Sequence, residues 1–255
     1  MAIPKRDLSR AKPELSSLVA DLRRARLLVR PEELEHRLPT PLPTGLSALD
    51  RLLGGGLPRG RIVELAGEGP GSTALALSIA ARSTRTGRWV AWVDGAEAFD
   101  PRGAREAGAS LARLLWCRPK DLRAAARAAD ALIASGAFPL VVLDLQREVP
   151  RPLGEAAWLR LSRGVEVHRG CLLVLGEAGA QSFAAARLAP ERGRARFSGR
   201  GPGRLFEEIE LRFRLAHNKL GLAPGKAAFR FRAPAHLPPL AWDPSPGSLR
   251  FGGRR

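Results

Sequence analysis

Four short, nearly uninterrupted apolar runs recur along this chain: RIVELAG (61–67), WVAWVD (89–94), PLVVLDL (139–145) and CLLVLGE (171–177). They are too short for helices and lack the polar alternation of a sheet with one wet face. Runs of this kind describe strands covered on both sides, the condition of a parallel sheet packed between helix layers. Between them lie segments with helical spacing: STALALSIAARS (72–83), PRGAREAGASLARL (101–114), PKDLRAAARAADALIASG (119–136) and EAAWLRLSRGVEV (155–167). In the third, Pro119 stands near the start and Gly136 just past the end, as helix termini prefer. LLWC (114–117) adds a short strand. Strands alternating with helices imply right-handed βαβ units. The expected fold class is α/β: a mostly parallel twisted sheet flanked by helices, with an N-terminal helix and a C-terminal β-hairpin. Ligands of such sheets bind beyond the carboxyl ends of the strands. The turns after Leu65, Val93, Leu143 and Leu175 should therefore face one site.

The two ends read differently from this core. Leu15, Leu18, Val19, Leu22, Leu27 and Leu28 are spaced for an amphipathic helix within an extension over 1–37. LPTPLPTG (38–45) is Pro-rich and reads as a linker into a core domain over 38–232. LSALDRLLGGG then predicts a short helix stopped by glycines. Between 187 and 204 stand six arginines, four glycines and two prolines against one acid, a composition that predicts a mobile basic loop. FEEIELRFRLAHNKL (206–220) alternates as a half-buried strand does, and KAAFRFR (226–232) is placed to pair with it across GLAPG. The Pro-, Gly- and Arg-rich tail over 233–255 is expected to be disordered on its own.

No run of eighteen apolar residues occurs, and the basic N-terminus has no apolar stretch behind it, so neither a membrane span nor a secretory signal is expected. Cys117 and Cys171 sit in apolar runs and read as buried thiols of a reducing cytoplasm. The four histidines have no metal-ligand spacing. Formal charge is +17, and lysine contributes only positions 5, 12, 120, 219 and 226. A balance this basic favours polyanions, nucleic acid first.

A strand, a Gly-rich turn and a helix opening on Ser-Thr form the setting of a P-loop, whose pattern is G-x-x-x-x-G-K-[ST]. Its amides cradle phosphates, its lysine neutralises charge and its hydroxyl holds magnesium. Here the segment runs Gly67, Glu68, Gly69, Pro70, Gly71, Ser72, Thr73. Three residues rather than four separate Gly67 from Gly71, Ser72 holds the lysine position, and Pro70 removes an amide donor. Asp144 ends its apolar strand and reads as a strand-end carboxylate capping a neighbour.

Four segments in order resemble the RecA recombinase core. PTGLSALDRLLGGGLPRGRIVELAG looks like its entry, VDGAEAFDPRGAREAG its next segment, and LIASGAFPLVVLDL its magnesium-aspartate strand. AHNKLGLAPGKAAFRF resembles the late hairpin that reaches a neighbouring subunit in the filament, which makes His217, Asn218 and Lys219 candidates for a partner interface. The resemblance covers roughly residues 38–232. It implies that Ala96 stands where the water-activating glutamate belongs, with Glu97 one step along on the wrong side of a strand-like backbone. Gly103 takes the place of the adenine-stacking aromatic, while Asp100, Pro101 and Asp144 match.

The resemblance therefore implies a degenerate ATPase fold: no catalytic residue, no metal, no cofactor, and at most weak nucleotide or phosphate binding at the helix N-terminus. The two loops that hold single-stranded DNA in RecA are cut back to QREVPRPLG and AGAQSFAAA. Arg187, Arg192, Arg194, Arg196, Arg200 and Arg204 could follow a phosphate backbone instead, with Phe197 stacking on a base. The layout as a whole resembles the bacterial ImuA family, RecA/SulA-like accessory factors of the SOS response. That implies a cytoplasmic, nucleoid-associated protein supporting translesion synthesis or modulating RecA-dependent recombination. Its implied partners are single-stranded DNA, RecA, an ImuB-like polymerase homologue and an error-prone C-family polymerase. The alternatives are direct capping of RecA filaments and a DNA-dependent ATPase.

Overall fold

In a computed structural model, the structure describes residues 39–67, 70–146, 153–177, 180–199 and 204–232, together with Ser17 and Ala20, both helical and exposed. The remainder of the expected N-terminal helix and the tail after 232 lie outside the described residues. The elements follow in order as α1 (Ser47–Leu52), β1 (Arg61–Leu65), α2 (Pro70–Arg85), β2 (Val90–Asp94), α3 (Pro101–Glu106) and β3 (Leu114–Cys117). Then come α4 (Leu122–Ala134), β4 (Leu140–Asp144), α5 (Glu155–His168), β5 (Cys171–Leu175), β6 (Ala184–Ser198), β7 (Leu205–Asn218) and β8 (Lys226–Arg232). All eight strands form one sheet, ordered β3-β2-β4-β5-β1-β6-β7-β8. The first six run parallel, and β7 and β8 are antiparallel to their neighbours.

The apolar runs are buried on both faces, as their composition requires. Val63, Leu65, Val90, Trp92, Leu140, Val142 and Leu173 pack under α1, α2 and α3. Ile62, Ala91, Val93, Val141, Leu143, Leu172 and Val174 pack under α4 and α5. Asp121 caps α4 by accepting from the Ala124 amide at 2.7 Å, and Gly136 follows the helix at φ +65°. Asp100 caps α3, accepting from the amides of Arg102 and Gly103, with Pro101 in the first turn.

Three expectations are corrected. The helix expected over 101–114 ends at Glu106: Gly108 turns out at φ +90°, Ala109 is buried, and the Ser110 amide donates to Thr84 Oγ1 at 3.0 Å. The stretch 38–45 is no free linker. Leu42 is buried and exchanges both backbone hydrogen bonds with Leu57, while Thr44 donates to Asp50 Oδ1 through its amide and hydroxyl.

The third correction is the largest. Residues 187–198 are not a mobile loop but most of the fifteen-residue β6, which pairs antiparallel with β7 from Ala186↔Asn218 to Ser198↔Leu205. Glycine and proline sit there without breaking the ladder because its register shifts between Glu191 and Arg194. At Gly193 a Cβ would meet Glu210 O at 2.7 Å, so only glycine fits this approach. Across the pair, glutamates of FEEIE face the arginines. The hairpin is anchored through β7: Phe213 is fully buried and its ring lies 6.1 Å from that of Phe229. Phe213→Ala is expected to cost about 3–5 kcal/mol, the usual range for emptying a buried aromatic site; chemical denaturation measures it.

Candidate nucleotide and nucleic-acid site

Register across the parallel strands sets Asp94 beside Asp144, Asp144 beside Leu175, and Leu175 beside Leu65. The turns that follow these residues therefore open along one edge, as the fold class requires. After β1, Gly67 turns at φ +83° and α2 begins at Pro70, with Glu68 and Gly69 outside the described residues. Gly71 and Thr73 are half-buried, and Ser72, at the expected lysine position, is 2% exposed.

Asp144 is fully buried and its Oδ2 has no hydrogen-bond partner. Burial pushes its carboxyl up to about 6, with Asp94 adding to the rise and hydrogen bonds from Gln146 opposing it. Gln146 was not singled out in the sequence. Its side-chain amide donates to Thr73 Oγ1 at 2.7 Å and to Asp144 Oδ1 at 3.4 Å, and its backbone amide donates to the same Oδ1 at 3.2 Å. One neutral amide thus bridges the first turn of α2 to the end of β4. Among the described residues no group of His, Cys, Asp and Glu is arranged to hold a metal.

Asp94 organises the turn after β2, accepting from the Ala98 amide at 2.9 Å, the Phe99 amide at 3.3 Å and Trp116 Nε1 at 3.1 Å. Ala96 and Glu97 lie in a bend, and Glu97 has φ +55°. The strand alternation used to place Glu97 on the wrong face therefore does not apply there. Gly103 closes over its cap: a Cβ would sit 2.8 Å from Asp100 Oδ2.

Beside Gly67 a cavity of about 700 Å³ opens over β6 and β7, lined by Arg187, Arg214, His217, Lys219 and Glu177. Arg187 and His217 are opposite one another in the β6–β7 ladder. The sequence had assigned them to two separate sites. Arg187 is not free to track DNA. Its guanidinium bonds Glu177 at 2.9 Å and lies 3.7 Å from Glu64, a carboxylate buried completely within β1. Burial raises the Glu64 carboxyl, Arg187 opposes the rise and Glu177 adds to it. Asn218 shapes the turn, donating to Leu222 O and accepting from the Leu220 amide. Lys219 donates through Nζ to Ser182 O at 2.5 Å and through its amide to Ala185 O at 2.7 Å.

The other candidate arginines divide. Arg196 is shared between Glu207 at 3.1 Å and Glu208 at 3.7 Å. Arg194 and Arg214 have no ion pair among the described residues. Arg204 lies over the Phe197 ring at 5.9 Å, and Phe197 meets Phe206 edge-on at 5.7 Å, both rings exposed. The side chains of Arg192 and Arg200 lie outside the described residues. Both cysteines are free, and burial pushes the Cys171 thiol up to about 12, which leaves it inert.

This edge and topology define a recombinase-type α/β fold. The solved structure of the RadB recombinase superposes with a TM-score of 0.57 at 21% identity, covering 74% of this chain and 95% of that one. Residues 28–151 match the RecA N-terminal domain. Protein RecA of Acidothermus cellulolyticus is 47% identical over 105 residues, 40% of this chain and 30% of that protein. Protein RecA of Rhodospirillum rubrum is 47% identical over 105 residues, 40% of this chain and 29% of that protein. The chain is RecA-like over this stretch, and it spans less than a third of the length of the curated relatives it matches. No helix among the described residues is long and apolar enough to cross a membrane.

The Asp144 carboxyl has a testable consequence. Its folded value, about 6, lies above the ordinary value of 3.8, so the folded state holds a proton that the unfolded state releases between those pH values. Its ionisation therefore costs stability as pH rises through that window, up to about 3 kcal/mol above it. Asp144→Asn is expected to raise the melting temperature at pH 7.5 and to change it little at pH 4. Equal shifts at both pH values would place the effect outside this titration.

Proposed function

We propose that this chain is a RecA-like protein that binds DNA and protein partners in the DNA-damage response without turning over ATP. The observation that carries the reading is Gln146. Its amide makes to Thr73 and Asp144 the contacts that a divalent cation makes in a working P-loop site. Buried Ser72 supplies no charge where lysine would meet the phosphates. Together with Ala96, these groups remove phosphate neutralisation, metal binding and water activation. Each such loss costs on the order of 3 kcal/mol of barrier. What remains is weak phosphate binding at the start of α2.

Arg194, Arg204 and Arg214, with the exposed rings of Phe197 and Phe206, supply cations and stacking faces for single-stranded DNA, sequence-tolerant and salt-sensitive. The similarity to the ImuA layout supports a role beside RecA, an ImuB-like polymerase homologue and a C-family polymerase in translesion synthesis. A second reading, capping of RecA filaments, draws on the cationic cavity at His217 and Lys219. A protomer that offers one filament face and cannot complete the other stops head-to-tail growth.

Phosphate release with ATP and single-stranded DNA is expected to stay at background. Release comparable to that of a RecA protein overturns the reading. In a salt titration of DNA affinity, Arg194→Ala with Arg204→Ala should reduce the slope by about 2. Lys219→Glu separates the second reading: if wild type lowers RecA strand exchange at substoichiometric amounts, this variant should not, and equal inhibition by both excludes docking through this cavity.

A further inference from the structure

Helices α4 and α5 are neighbours on one face of the sheet, and their spacing is uneven. At one end Gly164 lets them close, since a Cβ there would sit 3.2 Å from Ile133 Cγ2. Toward their amino-terminal halves the facing residues are small, and a cavity of about 360 Å³ opens between them. Ala126, Ala157, Leu153 and Leu161 make its walls apolar. Arg123, Arg127, Arg160 and Asp130 form the charged part of the lining. Asp130 is engaged by Arg160 at 3.6 Å. Arg123 and Arg127 are exposed and have no acidic partner among the described residues. Two like charges one turn apart cost a helix a few tenths of a kcal/mol.

An apolar slot beside guanidinium groups that have no acidic partner among the described residues selects its ligand by chemistry. A nucleic acid would call for a cationic track with aromatic stacking faces, and among the described residues no aromatic side chain lines this cavity. An aliphatic or aromatic side chain fits the floor, and carboxylates beside it fit the rim, bidentate to arginine. The two ends of this chain, 1–38 and 233–255, each carry more Arg and Lys than Asp and Glu. Charge therefore favours a segment from another protein.

We propose that the α4–α5 groove docks an acidic segment of a partner protein, with an apolar side chain seated over Ala126 and Ala157 and carboxylates meeting Arg123 and Arg127. The groove shares no lining residue with the cavity beside Gly67, so the proposal does not rest on what that cavity binds.

The test is selection of displayed random peptides on the full-length chain, followed by fluorescence anisotropy with the winning peptides. Enrichment of Asp and Glu around Leu, Met, Phe or Trp is expected. Arg123→Glu with Arg127→Glu, both on the surface, should weaken these peptides about tenfold or more, and raised salt should weaken them further. Ala157→Trp, which fills the slot, should abolish binding; circular dichroism checks that both variants fold. Excess oligothymidylate should not displace the peptides. The proposal is overturned if no peptide is enriched, if the winners are not acidic, or if they bind the variants as well as wild type. Loss of DNA affinity rather than peptide affinity in the charge-reversed variant assigns the arginines to nucleic acid instead.

Discussion

A strand buried on both faces has no side on which a slip in register is tolerated, because a shift by one residue would exchange the contents of both cores. In β2, β4, β5 and β1 every apolar side chain is committed to one of two clusters. That commitment fixes Asp94, Asp144, Leu175 and Leu65 in one row. The site is a consequence of this row. Gln146 reaches Thr73 because the end of β4 stands at the height where α2 begins, although the two residues are far apart in sequence.

Glu64 is the one charged residue inside the parallel core of β1, and it links this row to the antiparallel half of the sheet. Its carboxylate has no hydrogen bond, yet Arg187 on the adjacent strand lies 3.7 Å away. A buried pair of this kind adds little net stability, but removing one partner leaves the other uncompensated. The two residues are register partners across β1 and β6. The pair also explains why Arg187 is held at the wall of the cationic cavity rather than projecting from it, with Glu177 closing the pair from outside.

The parallel strands were legible in the sequence because burial on both faces writes itself as continuous Val, Leu and Ile, and α4 because Pro119 and Gly136 stand near its ends. The strand β6 was not legible. Its Gly and Pro content signals a loop, and the features that overrule the signal lie on another strand: Glu207 and Glu208 across from Arg196, and the Phe213 anchor. Among the site residues, Ser72 and Asp144 could be read from local motif spacing. Gln146 could not, since its role depends on a contact set by sheet register. The separation of Arg187 from the DNA candidates likewise rests on Glu64, a residue that local pattern marks only as an acid inside an apolar run.

Net charge is a coarse guide to where such a protein meets a polyanion. On the β6–β7–β8 surface much of the basic excess is spent internally: Arg196 on Glu207 and Glu208, Arg212 and Arg230 on Glu210, Lys226 on Glu191. These pairs are exposed and each contributes little to stability. Their effect is to cancel charge in place, which confines the attractive potential to the residues left over. Arg194 and Arg214 lie on this hairpin without ion pairs among the described residues, and Arg204 is held against Phe197. A ligand approaching the hairpin thus meets a few positioned cations next to exposed rings, rather than a diffuse basic field. That arrangement suits a flexible single strand, whose bases can reach the rings, better than a stiff duplex whose bases are already stacked.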